Sequence, residues 1–246
     1  MNFLTWQSVL NTENLQKAYE HVQKKRKENG PNSDWYLTGP IDLKTLQNHL
    51  LSGKYTPSPV EELHLKLPKK DTVLWRRTPI DAIVLRAIYQ VLLPAIKLLL
   101  PKSPFHLPGK GGVKKAISLL NGVFQARKKE SGFILRTDVK DFYQSIRHEE
   151  LFSLLDRLIE DKELNAILKL LIKTPTYKGG IYQDWFGLGI SKGCSLSPLF
   201  GALILANVDS HFARRVQRTP GIIYIRYMDD FFIFAPKRSL LRPLIR

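Results

Sequence analysis

The stretch Ile222-Ile223-Tyr224-Ile225-Arg226-Tyr227-Met228-Asp229-Asp230-Phe231-Phe232-Ile233-Phe234-Ala235 constrains the fold more than any other. β-Branched and aromatic residues run up to an acidic pair and away from it. Such runs favour extended backbone and Asp favours turns, so a hairpin with its carboxylates at a tight turn is expected. Apolar neighbours press two like charges together there, which is costly without compensation. A divalent cation such as Mg²⁺, which takes one or two carboxylates plus substrate phosphates, would remove that cost. An ordinary acidic turn fits the same residues, so the local chemistry leaves both readings open.

Charge narrows the partners. Lys and Arg number 38 against 22 Asp and Glu, a formal net charge of +16. That excess calls for a polyanion, either nucleic acid or an anionic membrane surface. With 246 residues, 43% of them hydrophobic, one large domain or two small ones can build a core. The single cysteine, Cys194, excludes an intramolecular disulfide and a cysteine metal cluster and points to a reducing compartment. Met1 to Leu10 lacks a signal-peptide pattern, and the apolar run Leu199 to Val208 is too short to span a bilayer. A cytoplasmic protein with no membrane partner is expected.

Along the chain, Thr12 to Glu28 reads as a polar helix closed by Lys24-Lys25-Arg26-Lys27. That run suits a solvated helix end or contact with a nucleic-acid backbone. Asn29 to Ser33 is a break, and Asp42 is placed to cap a helix through His49. Glu62 to Leu67 and Val73 to Arg76 are expected to pair as strands around the basic turn Pro68-Lys69-Lys70-Asp71. Asp81 to Leu93 reads as a buried helix that Pro94 ends or kinks. Phe105 to Val113, with His106 and three glycines, is loop whose amides could meet phosphates, although the order is not a Walker A motif. Helical spacing resumes from Val113 to Phe124 and ends at the basic Arg127-Lys128-Lys129.

Phe133 to Asp138 reads as a buried-type strand ending in a carboxylate. Ser145 is placed to cap a helix from Ile146 to about Ile172, with Asp161 as an interruption. Lys178-Gly179-Gly180 is a turn and Ile181 to Phe186 a strand, and Gly187 to Gly193 is glycine-rich loop. Ser197-Pro198 is expected to start a mostly buried helix, through a hydroxyl cap followed by proline, that ends among Arg214, Arg215 and Arg218. Two acidic sites borne on strands and separated by a helical crossover can lie side by side in one sheet. Asp138 and Asp229 would then share metal ions in a two-metal site of the phosphoryl-transfer kind.

At this point the chain resembles the bacterial reverse transcriptases of the group II intron and retron kind. Tyr227-Met228-Asp229-Asp230 resembles their catalytic tetrad, and Thr137 to Ile146, with Asp138-Val139-Lys140-Asp141 at its head, resembles their first catalytic block. Gly189-Ile190-Ser191-Lys192-Gly193-Cys194-Ser195-Leu196-Ser197-Pro198 resembles the block that supports template and incoming nucleotide. Arg76-Arg77-Thr78-Pro79 with Asp81, Ile83 and Val84 resembles the fingers segment, and Phe105 to Ile117 the glycine-containing stretch after it. The resemblance spans roughly Glu62 to Pro236.

It implies an α/β (α+β) right-hand polymerase fold: a palm with an antiparallel sheet, plus fingers. The expected division is an N-terminal helical extension over 1–61, a fingers-like region over 62–129 and an incomplete palm-like region over 130–246. It also implies an RNA-directed DNA polymerase using two Mg²⁺ ions, with Mn²⁺ as a substitute. Its partners would be an RNA template, a primer–template duplex and deoxynucleoside triphosphates. Asp138 and Asp229 would bind both metals and Asp230 would support them. Arg76 and Arg77 are candidates for the triphosphate, with no choice between them. Tyr143 falls where the family has an aromatic gate against the 2′-hydroxyl, Lys192 could touch a phosphate or a template base, and Gly193 would allow close backbone approach.

Two departures stand out. Ser191 and Lys192 occupy positions where the family has proline and glutamine. The sequence also runs only ten residues past Pro236, without the family's thumb, which leaves open a gene fragment, one half of a split enzyme completed by a partner chain bearing a C-terminal thumb, or a truncated copy. A catalytically inactive remnant acting as an RNA-binding accessory subunit is the alternative.

Overall fold

The hairpin forms as expected, and it sits in a three-stranded sheet. The computed structural model describes residues 4–28, 41–65, 72–101, 104–109, 111–126, 132–184 and 186–242. In chain order its elements are α1 (Trp6–Leu10), α2 (Thr12–Glu28), α3 (Leu43–Leu51), β1 (Val60–Leu65), β2 (Thr72–Arg76), α4 (Pro79–Leu99), α5 (Gly112–Ala126), β3 (Phe133–Thr137) and α6 (Phe142–Ser145). There follow α7 (His148–Leu158), α8 (Lys162–Lys173), β4 (Thr176–Lys178), β5 (Ile181–Gln183), α9 (Ser197–Ile204), α10 (Ala206–Arg218), β6 (Ile223–Tyr227) and β7 (Asp230–Ala235). The break expected at 29–33, the basic turn at 68–71 and the basic helix end at 127–129 lie outside the described residues.

The chain divides into two compact units, and neither is contiguous. The first comprises Met1–Ala95 and Tyr143–Ser197, and the second Ile96–Phe142 and Pro198–Arg246. This runs differently from the linear division at 61 and 129, and the physical reason is strand pairing. β1 pairs in parallel with β4, Val60 opposite Thr176, which ties the first segment to residues more than a hundred positions later. Parallel partners require such a long connection.

In the first unit the sheet order is β2-β1-β4-β5. Gly179 and Gly180, at φ 54° and 92°, supply the two left-handed positions that the β4–β5 turn requires. The N-terminal helices are part of this unit's core: Asn14 Nδ2 donates to the carbonyls of Val9 (2.8 Å) and Ala87 (3.2 Å), and Gln90 Nε2 donates back to Asn14 Oδ1 (2.7 Å). Asp42 caps α3, accepting from Lys44 N at 3.0 Å. Thr78 caps the start of α4, Asp81 N donating to Thr78 Oγ1, and the Thr78 hydroxyl in turn donates to Asp81 Oδ2. Asp81 is buried because Tyr55 Oη and Ser58 N satisfy its remaining lone pairs.

Four local expectations are corrected. Of the end or kink expected at Pro94, the end is ruled out: α4 runs through it to Leu99, where the buried Ala95 and Ile96 outweigh one lost backbone hydrogen bond. By length and composition α4 is apolar enough to cross a membrane, yet Ile83, Val84, Ala87, Ile88 and Leu92 are fully buried in the protein. The long helix from Ile146 to Ile172 is two helices, α7 and α8. Asp161 does interrupt it, as the N-cap of α8, accepting from Leu164 N at 2.8 Å. Ser145 instead ends α6, and Arg147 precedes α7 without a side-chain cap. The Ser197 hydroxyl does not cap α9 but donates to the carbonyl of Ser191 at 2.6 Å.

In the second unit the sheet order is β3-β7-β6, antiparallel throughout. α5 packs Ala116 and Leu120 against the face that carries Ile223, Ile225 and Phe232, and α10 packs against β6. β3 is the outer strand. Among the described residues it pairs with β7 alone, and Phe133 and Ile134 are 40% and 44% exposed because neither of its faces is covered there, so the expectation of a buried strand fails.

Candidate active site

The second unit holds the three acidic candidates. Tyr227 pairs with Asp230, leaving Met228 and Asp229 as the two-residue turn. Met228 adopts φ 55°. The first central position of such a turn normally carries glycine, and a left-handed side chain costs about 1–3 kcal/mol. Thr137, at the end of β3, pairs with Phe231, so the antiparallel register carried one residue further sets Asp138 beside Asp230. The strand end with Asp138 and the turn with Asp229 and Asp230 therefore meet at one edge of one sheet.

Charge at that edge is partly balanced. Arg136 Nη2 lies 3.3 Å from Asp230 Oδ1, and its guanidinium lies over the Phe232 ring at 5.5 Å. Both side chains are substantially exposed, so the pair is worth about 0–1 kcal/mol. Among the described residues no three His, Cys, Asp or Glu side chains converge as a ready-made metal cage. An all-oxygen set of one or two carboxylates, open to solvent, is nonetheless what Mg²⁺ accepts when substrate phosphates complete its shell. The residues present fit that ion.

Beneath the turn lies a buried network that the motifs did not reveal. Arg226 and Asp209 have no exposed surface. Arg226 Nε donates to Asp209 Oδ1 at 2.8 Å, Nη2 donates to Asp209 Oδ2, and Nη1 donates to the Met228 carbonyl at 2.6 Å. Tyr224 Oη donates to Asp209 Oδ1 at 2.7 Å, and burial together with that carboxylate pushes the Tyr224 phenol well above its ordinary range. On the other side of the turn, Met228 N donates to His106 Nδ1 at 3.1 Å. Asp209 and Arg226 did carry a signal, being the lone acid of α10 and the lone cation of the apolar strand β6. His106 carried none beyond membership of a glycine-rich loop.

The first unit holds Arg76, Arg77, Tyr143, Lys192 and Gly193. Arg76 is engaged: Nε and Nη2 both donate to Glu61 Oε2 across the β1–β2 pair, at 2.8 and 2.6 Å. Arg77 Nη2 donates to Ser191 Oγ at 2.7 Å, while its Nε and Nη1 are buried with no hydrogen-bond partner among the described residues. Such groups are costly to leave unmatched. The glycine loop is stitched to α6 and the residues that follow it: Ile190 N donates to the Tyr143 carbonyl (2.8 Å), Gly189 N to the Ile146 carbonyl (2.7 Å) and His148 Nε2 to the Gly189 carbonyl (2.6 Å). Tyr143 is half-buried and Lys192 exposed. Gly193 has φ 79° with open space where a Cβ would point, so backbone conformation requires the glycine and the loop surface is left bare.

Residues 67–245 match the family described as reverse transcriptase (RNA-dependent DNA polymerase). The chain belongs to the reverse transcriptase family. Its mixed α/β architecture with antiparallel sheets is the palm and fingers fold of those enzymes. Protein YkfC of Escherichia coli (strain K12) is 23% identical over 229 residues, covering 79% of this reverse transcriptase chain and 59% of YkfC. Among solved structures, a chain of a partial Cas6-RT-Cas1–Cas2 complex aligns with a TM-score of 0.56 at 18% identity, covering 94% of this chain and 38% of that one. An apo telomerase from Candida tropicalis, truncated from its C-terminal domain, aligns with a TM-score of 0.54 at 12% identity, covering 80% and 49%. The chain thus spans less than two thirds of the length of each of these relatives.

Proposed function

We propose that this chain is the catalytic core of an RNA-directed DNA polymerase, adding deoxynucleotides to a primer 3′-hydroxyl on an RNA template. The observation that carries the reading is the register of the three-stranded sheet, in which the strand ending before Asp138 abuts the Met228–Asp229 turn. Asp138 and Asp229 would hold Mg²⁺, two ions in all with Mn²⁺ able to substitute, and Asp230 would support them. Bound there, the metal supplies activation of the primer hydroxyl and neutralisation of charge on the departing pyrophosphate.

The other roles belong to the chain's own side chains. Arg77, with two buried guanidinium nitrogens unmatched among the described residues, is the better candidate to grip the triphosphate, whereas Arg76 is held by Glu61. Tyr143 would exclude a 2′-hydroxyl from the sugar position. Lys192 and Gly193 would lie against the template base or its phosphate. The +16 charge suits an RNA template and a primer–template duplex, and a thumb-bearing partner chain would slow release of that duplex.

The test is primer extension on a homopolymer RNA template with Mg²⁺ or Mn²⁺, alongside RNA binding titrated against salt. Wild type should incorporate deoxynucleotides, and Asp138→Asn and Asp229→Asn should reduce incorporation below detection without weakening RNA binding. Incorporation that survives in Asp229→Asn defeats the mechanism. Salt-dependent RNA binding with no incorporation, even with a thumb-bearing chain supplied, replaces this reading with that of an RNA-binding accessory subunit.

A further inference from the structure

Met228 is held on both sides. Its N–H donates to His106 Nδ1 at 3.1 Å and its carbonyl accepts from Arg226 Nη1 at 2.6 Å. Both backbone groups of the residue at φ 55° are therefore matched by side chains, and the two side chains come from different segments. Arg226 belongs to the hairpin and is anchored by Asp209 of α10. His106 comes from the loop before α5 and is anchored at its far end, Nε2 lying 3.2 Å from the Pro198 carbonyl. The loop itself is docked on β6, with Phe105 N donating to the Arg226 carbonyl at 3.1 Å.

These partners dictate the state of the ring. An amide N–H can only donate, so Nδ1 must present its lone pair; a carbonyl can only accept, so Nε2 must carry the hydrogen. Burial keeps the ring in that neutral form by pushing it down to about 4. An apolar side chain of the same size could fill the space but would leave the Met228 N–H unmatched and the left-handed turn supported from one side only. A purely space-filling role does not need an acceptor at Nδ1 and a donor at Nε2.

We infer that His106 is a positioning residue of the acidic turn: by accepting from Met228 it holds the left-handed backbone that presents Asp229 and Asp230. The inference rests on the polymerase reading only for its consequence, since the clamp itself concerns a backbone conformation.

The chain has two methionines, Met1 and Met228, so [¹³C-methyl]methionine labelling of the full chain gives a reporter in the turn, assigned with Met228→Leu. Wild type and His106→Asn, whose Oδ1 can still accept from Met228, should each give one narrow Met228 methyl signal. His106→Leu, which keeps bulk without an acceptor, should give a doubled or exchange-broadened one. Should His106→Leu fail to fold, His106→Ala is read in the same way. In a Mn²⁺ titration, paramagnetic broadening of this methyl should need about ten-fold more Mn²⁺ in His106→Leu than in wild type, with His106→Asn restoring the midpoint. A single narrow signal and an unchanged Mn²⁺ midpoint in His106→Leu overturn the inference. If the wild-type methyl does not respond to Mn²⁺, the metal reading fails instead. The metal-free lineshape then decides alone, doubling in His106→Leu supporting the clamp and a single narrow line overturning it.

Discussion

Arg226 donates to the carbonyl of Met228 from a side chain with no exposed surface, and the same guanidinium is pinned by the equally buried Asp209. The acidic turn is thus braced by an ion pair seated between α10 and β6. Removing one partner of such a pair leaves an unmatched buried charge, which costs about 3–5 kcal/mol, whereas replacing both by apolar groups costs far less. Arg226→Met and Asp209→Leu should each destabilise the protein by that order. The double variant should fall well short of the sum of the two. Urea denaturation checks this; additive losses would mean that the two residues do not act as a pair.

Stability should also fall in acid through His106. Burial lowers its folded value from 6.5 to about 4. Above about pH 6.5 the ring is neutral in both folded and unfolded chains and contributes no pH dependence. Between 6.5 and 4 the unfolded chain takes up a proton that the folded chain refuses, so stability drops as pH falls, by at most about 3 kcal/mol. Thermal melts across that window should show a shallower slope for His106→Asn than for wild type, and equal slopes would reject the assignment.

Arg77 and Arg76 should separate kinetically. Arg77→Lys keeps the charge but loses the fork that matches phosphate oxygens, so KM for deoxynucleoside triphosphates should rise roughly ten-fold, about 1.4 kcal/mol. Arg76→Lys disturbs a half-exposed pair with Glu61 and should change KM little. Steady-state incorporation with varied triphosphate distinguishes them, and a larger KM effect at Arg76 would reverse the assignment.

Tyr143→Ala should lower discrimination against ribonucleotides while deoxynucleotide incorporation stays measurable. The comparison is kcat/KM for matched deoxy- and ribonucleoside triphosphates in wild type and variant. Equal loss toward both substrates would mean that the ring serves packing and not sugar selection.

What the sequence determined by itself was local. Alternating apolar runs around two aspartates specify a hairpin, Asp42 specifies a helix start, and Gly179-Gly180 specifies a turn, because caps and tight turns are decided by side chains within a few residues of the backbone they satisfy. The hairpin aspartates, together with Thr137 to Ile146 and Gly189 to Pro198, also carry the resemblance to the family. Tertiary structure decided the rest. His106 meets Met228 across 122 positions, Arg77 meets Ser191 across 114, and Asp209 meets Arg226 across 17. Nothing in local periodicity encodes such partners. Whether an apolar strand is buried is likewise undecided until its neighbours are known: β3 reads as a core strand, yet among the described residues it lies at the end of its sheet and its side chains stay exposed. Burial and long-range pairing belong to the assembled chain, because they depend on which surfaces meet and not on the residues that carry them.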